Sequence, residues 1–163
     1  AWLTIKILIM EGDDMVKKIL VPVDGSKTSL KAATFAVDLA RQLGASIIAL
    51  SVIDKRLFMG GTTVPSKVAK EMVEPVEDYL KEVTEEYLED VRKLCQKNKV
   101  TFRTLTKMGY PVAEIIKEAK RAEADMIVMG SHGRSALSAT VLGSVSYGVI
   151  HHDKSVPVLI VRD

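Results

Sequence analysis

Met126-Ile127-Val128-Met129-Gly130-Ser131-His132-Gly133 decides the fold, together with Gly143-Ser144, which follows after nine intervening residues. The short solid apolar run reads as a buried strand. The glycines after it put a loop at the strand's mouth, where a backbone without Cβ can approach a ligand closely. The second Gly-Ser pair introduces a helix-like segment. Amides of such a loop and of a helix N-terminus form a cradle for phosphate, and the macrodipole adds about half a positive charge at the helix start. Ser144 and Ser146 supply hydroxyls able to donate to phosphate oxygens. The leading reading is a nucleotide-binding module; the plain alternative is a surface loop, since glycines are common after strands. Neither the GxxxxGK[ST] phosphate loop nor the GxGxxG dinucleotide fingerprint occurs, so the chain is neither a P-loop enzyme nor a standard dehydrogenase half.

Working outward, Val16 to Val23 reads as a buried strand, Asp24-Gly25-Ser26 as a turn with a ready N-cap, and Ser26 to Leu43 as a helix closed by Gly44. In that helix Leu30, Ala33, Val37, Ala40 and Leu43 recur at helical spacing and are expected to face a sheet. Ala45 to Ile53 is a second buried strand, and Asp54 to Ser66, with Gly60, Gly61 and Pro65, a loop. A helical region follows, interrupted or begun anew at Pro75, and its stripe of Leu80, Val83, Tyr87, Val91 and Leu94 runs out to about Lys99. Val100 to Thr106 alternates like a strand with one wetter face, and Gly109-Tyr110-Pro111 turns into a helix over Ala113 to Ala122. Asp125 to Met129 is a strand, Gly143 to His152 a helix, and Val156 to Val161 the last strand.

Strand and helix thus alternate along the chain, which predicts a single-domain α/β fold with an open parallel sheet and helices on both faces, Rossmann-like in kind. In such sheets ligands sit beyond the carboxyl ends of the strands, where the strand order reverses. Two strand ends suit that place: Val23-Asp24-Gly25-Ser26 and Met129 through Gly133. If those strands are neighbours, their loops form one crevice.

The 163 residues suffice for one well-filled core. Basic and acidic residues, 23 against 21, are mixed along the chain without a long basic block, which argues against nucleic acid as a partner. A lone Cys95 cannot form an internal disulfide, and a reducing cytoplasmic setting is expected. The apolar opening Ala1 to Met10 is too short to span a bilayer, so no membrane association is expected. It lacks a basic start and is followed by Glu11, Asp13 and Asp14, a poor match to a signal peptide. Residues 1–14 are read as an extra edge strand or an upstream addition to a domain over 15–163.

With these pieces in place the chain resembles the universal stress protein family. Gly130, two residues, Gly133, nine residues and Gly143-Ser144 look like that family's ATP-binding signature. Lys18 to Ser26 resembles its first strand and Asp turn, Ser51 to Asp54 the end of its second strand, Gly109-Tyr110-Pro111 its turn before the third helix, and Pro157 to Val161 its closing strand. The resemblance implies a five-stranded sheet of order 3-2-1-4-5. It implies ATP as ligand, with Mg2+ or Mn2+ accompanying the nucleotide. Adenine would lie against Pro22, Val23, Asp24 and Val52, and ribose and phosphates along Met129, Gly130, Gly133, Arg134, Gly143, Ser144, Val145 and Ser146. His132, inside the signature, is included among the site residues in a loop-shaping role rather than a catalytic one, because no GxSxG elbow accompanies Ser131. Asp24 could reach a ribose hydroxyl or a metal-bound water; otherwise it shapes the turn. A homodimer through Val156 to Val161 is also implied, and that apolar run would otherwise be an unsatisfied edge.

His151 and His152 point to different sides of a helix and are read as C-terminal positive charge rather than metal ligands. Cys95 reads as an inert packed thiol. No residue set presents a general base beside a nucleophile, so an ATP-binding regulatory module with slow or no hydrolysis is expected. The alternatives are an ATP-hydrolysing or adenylating enzyme of the same superfamily, and an interaction protein that binds no nucleotide.

Overall fold

A computed structural model of the chain describes residues 15–57, 66–133 and 141–162, with the backbone alone for 66–74. The expectations for residues 1–14, for Gly60, Gly61 and Pro65, and for Arg134 lie outside the described residues. The elements run β1 Lys18–Pro22, α1 Lys27–Leu43, β2 Ser46–Asp54, α2 Ser66–Lys97, β3 Phe102–Gly109, α3 Pro111–Arg121, β4 Met126–Gly130, α4 Ser144–His152 and β5 Val158–Val161. All strand pairings are parallel, in the order β3-β2-β1-β4-β5.

Successive strand residues point to opposite faces, and the core divides accordingly. Ile19, Val21 and Val23 join α1 and α2 on one side, with Ala33, Val37, Leu88 and Val91. Leu20, Ile48, Leu50, Ile127 and Met129 join α3 and α4 on the other, with Ile115, Ala119 and Val149. Each fully buried Ile, Leu or Val contributes about 1.5–3 kcal/mol. Both faces of β1 are covered, which is why it reads as an unbroken apolar run.

Three expectations are corrected. Leu30 is 43% exposed; α1 instead buries Thr28, Ser29, Ala32, Ala33, Ala36, Val37 and Ala40. The small side chains let the helix sit close to the sheet, and the bulky Leu30 is turned outward. Helix α2 is continuous through Pro75. A proline inside a helix costs roughly 3 kcal/mol, and the later turns, anchored by buried Leu88, Val91 and Cys95, hold the helix in place. Strand β3 begins later than expected and extends to Gly109, because it pairs with β2 along the whole run from Ile47 to Asp54. Cys95 is fully buried, and burial pushes its thiol up to about 11.

Candidate functional site

The strand order reverses between β1 and β4, which pair through Ile19 with Met126 and Leu20 with Ile127. The crevice expected from the two strand ends is therefore present. A cavity of about 530 Å3 opens there, within the 300–1,000 Å3 typical of small-ligand sites. Pro22, Val23 and Asp24 from the end of β1, Val52 from β2, Met129 and Gly130 from β4, His132 and Gly133 from the loop, and Gly143 to Ser146 from α4 all line it. These are all of the sequence-predicted site residues but Arg134, which lies outside the described residues.

The cavity has two chemically different ends. Leu50, Val52, Pro111 and Ile115 give one an apolar lining, an outward continuation of the core beneath α3 and α4. The other is main chain. Helix α4 starts at Gly143, which makes no side-chain cap bond. Its first backbone bond runs from Tyr147 N–H to the Gly143 carbonyl at 2.8 Å. The amides of Ser144, Val145 and Ser146 precede that bond and have no acceptor within the helix. They form a partly positive rim that favours an anion. The start of α1 differs: the Ser26 hydroxyl accepts the Ser29 N–H at 3.1 Å, so that helix satisfies its own amide.

The glycines of the signature sit at close approaches within the protein, against backbone at Gly130 and against a side-chain tip at Gly133. A Cβ on Gly130 would lie 2.9 Å from the backbone carbon of Thr28, so the end of β4 rests directly on the first turn of α1. A Cβ on Gly133 would lie 2.6 Å from Asp24 Oδ2. Asp24 fills one of the two roles the sequence left open, shaping the turn. Its Oδ1 accepts the Ser26 N–H at 3.0 Å, while Oδ2 lies directly against Gly133 at the cavity wall. Ser146 donates its hydroxyl to the Gly130 carbonyl at 2.8 Å, so that proton is spent on joining α4 to β4 and Ser146 offers the cavity its main chain. Ser144 is exposed at the helix start. His132 lies with Nδ1 3.0 Å from Ser131 Oγ, and its carbonyl accepts from Thr28 Oγ1 at 2.6 Å, in keeping with the loop-shaping reading. His151 stacks on Tyr147, with ring centroids 5.5 Å apart.

Five lining residues were not singled out from sequence: Ser29, Leu50, Asp54, Pro111 and Ile115. Asp54 reads as the start of a loop, but it is the last residue of β2, on the period-two face of Leu50 and Val52. Its carboxylate is gripped by Arg56, whose Nε lies 3.0 Å from Oδ1 and 2.9 Å from Oδ2. That bond holds Asp54 below the usual carboxylate range, so it stands ionised at the rim.

Comparison with known proteins identifies the family. The family model for the universal stress protein family matches residues 15–162. Universal stress protein MJ0531 of Methanocaldococcus jannaschii is 36% identical over 155 residues, covering 95% of this chain and 87% of that protein. The solved structure of MJ0577, from the same organism, has a TM-score of 0.79 at 31% identity and covers 91% of this chain and 97% of that one. A universal stress protein from Archaeoglobus fulgidus, solved in complex with dAMP, shares the fold with a TM-score of 0.63 at 20% identity, covering 91% of this chain and 99% of that one. Sequence signature, strand order and relatives converge: the chain belongs to the universal stress protein family.

Proposed function

We propose that this protein is an adenine-nucleotide-binding regulatory module of the stress response, taking ATP with Mg2+ or Mn2+ and hydrolysing it slowly or not at all. The observation that carries the reading is the two-ended cavity of about 530 Å3 between the ends of β1 and β4. Its apolar end suits a base, and its amide end suits phosphates. Asp24, between the two, suits a ribose hydroxyl or a water bound to the accompanying metal. A fold neighbour solved with dAMP supports an adenylate as the ligand class. In this reading adenine lies against Pro22, Val23, Asp24 and Val52, and ribose and phosphates run along Met129, Gly130, Gly133, Arg134, Gly143, Ser144, Val145 and Ser146, with His132 shaping the loop.

Residues 15–163 act as one nucleotide-binding domain in this reading, with 1–14 as an addition before it. The molecule works as a homodimer through the last strand. Strand β5 is an edge of the sheet, and Val158 to Val161 are each half-buried, a surface that pairing with a second copy would cover. A cytoplasmic setting follows the same reading; among the described residues no helix is long and apolar enough to cross a membrane.

The test is direct. Purified protein is denatured, its supernatant chromatographed, and the emptied protein titrated with ATP-Mg by calorimetry. Near-stoichiometric adenine nucleotide, or saturable binding, is expected. Absence of both refutes the reading. Steady phosphate or pyrophosphate release well above background would favour the enzyme class over the regulatory module.

A further inference from the structure

A line of hydroxyl groups joins the first turn of α1 to the loop after β4. A carbonyl oxygen can only accept, so the 2.6 Å contact between Thr28 Oγ1 and the His132 carbonyl commits the Thr28 proton to His132. With that proton spent, the 3.2 Å contact between Ser26 Oγ and Thr28 Oγ1 is donated by Ser26. Ser26 Oγ accepts in turn from the Ser29 N–H at 3.1 Å. The bonds all run one way, from the α1 backbone to the loop, an arrangement in which each polarises the next. Thr28 is 1% exposed, so solvent does not compete for its hydroxyl.

This line has a geometric consequence. In a trans peptide the C=O and N–H point in opposite directions, and the described chain has no cis peptide bond. Drawing the His132 carbonyl toward α1 turns the Gly133 N–H away from α1. Gly133 lines the cavity, most of whose wall comes from the strand ends and the first turns of α3 and α4, with only Ser29 from α1. The two preceding carbonyls are held from α4 and its start: Gly130 by Ser146 Oγ at 2.8 Å, Ser131 by Gly143 N–H at 2.7 Å. The Ser131 N–H is spent on the Val161 carbonyl at 2.8 Å. The His132–Gly133 peptide is therefore set by a side chain 104 residues away.

We propose that Thr28 is a positioning residue for anion recognition: its hydroxyl fixes the His132–Gly133 peptide so that the Gly133 amide meets a phosphate of the bound nucleotide. The proposal rests on the nucleotide-binding reading above and deepens it. Thr28 touches no phosphate; it makes the β1–α1 turn part of the phosphate site.

The test compares Thr28→Val, which removes the donor at nearly constant shape, with Thr28→Ser, which keeps it. Affinities for ATP-Mg and for adenosine are measured by calorimetry on each full chain. Thr28→Val is expected to weaken ATP-Mg roughly tenfold to a hundredfold, the range for losing one charge-assisted bond. Adenosine affinity should stay unchanged, and Thr28→Ser should restore ATP-Mg. Unchanged ATP-Mg affinity in Thr28→Val overturns the proposal, as does an equal loss for adenosine, which would mark general loosening of the cavity. NMR of the unmodified protein covers a variant that fails to fold. The Gly133 amide proton should move on adding ATP-Mg and not on adding adenosine, and a Gly133 amide indifferent to both bound ligands overturns the proposal. An unmodified protein that binds neither ligand overturns the nucleotide reading together with this one; the other adverse results overturn this one alone.

Discussion

Gly130 and Gly133 sit in one loop signature, yet adding a methyl group at each should have different effects. At Gly130 the new Cβ would meet the backbone carbon of Thr28 at 2.9 Å and its oxygen at 3.0 Å, about half an ångström inside the ordinary contact range that begins at 3.4 Å. Backbone on both sides cannot swing away, so α1 or β4 must shift. Overpacking of this kind costs roughly 1–3 kcal/mol, and a chain of this size loses about 2–4 °C of Tm per kcal/mol. Gly130→Ala should therefore melt roughly 2–12 °C lower. At Gly133 the neighbour is the tip of the Asp24 carboxylate at 2.6 Å, which can rotate at the expense of its bond to the Ser26 N–H. That loss is about 0.5–1.5 kcal/mol, so Gly133→Ala should melt only slightly lower. Gly133→Asp goes further, setting a carboxylate against Asp24 and against the proposed phosphates. Two unit charges 4 Å apart repel by about 4 kcal/mol at an effective dielectric of 20, worth roughly a thousandfold in affinity. Thermal unfolding by circular dichroism and calorimetric titration with ATP-Mg read the two effects. A Gly130→Ala protein with unchanged Tm would refute the packing account, and unchanged ATP-Mg affinity in folded Gly133→Asp would refute the cradle.

Glu118 is buried on α3 and takes a forked bond from Arg121, at 2.9 Å and 2.7 Å, with Arg103 at 3.4 Å. The Arg121 bond, opposed by burial, holds it below the ordinary glutamate range. Its contribution is complete above that ordinary range and is lost as pH falls through the depressed folded value. Glu118→Gln should destabilise the protein by about 1–3 kcal/mol at neutral pH and flatten the acid limb of the stability curve; an unaltered acid limb in urea titrations would contradict this. Cys95, buried with its thiol pushed up to about 11, should resist a thiol-specific reagent at pH 8 in the native protein and react promptly once unfolded. Fast native labelling would show that the α2 packing opens. Ile160→Lys on the half-buried edge strand β5 should convert the proposed dimer to monomer in sedimentation velocity, and a folded variant that remains dimeric would place the interface elsewhere.

The alternation of strand and helix, the apolar strands covered on both faces, and the glycine loop after β4 can all be read from the chain alone. Each rests on local rules, namely side-chain period, turn chemistry and the conformational range of glycine. The crevice residues Val23 and Asp24 and those from Met129 to Gly133 were legible for the same reason, since a strand end followed by glycine announces itself. Asp54 was missed because it reads as the start of a loop; pairing with β3 carries β2 one residue further, onto the alternate face of Leu50 and Val52. The packed fold was needed to show that Leu30 points outward while the alanines of α1 meet the sheet, and that Pro75 lies within one unbroken helix. It also decided that the Ser146 hydroxyl is spent on the Gly130 carbonyl and that Thr28 reaches His132. Periodicity tells which side of an element is apolar, but the partner of a single hydroxyl depends on how two elements dock, to a few tenths of an ångström. Residues 28 and 132 carry no mark of each other along the chain; the β1–β4 pairing is what brings them together.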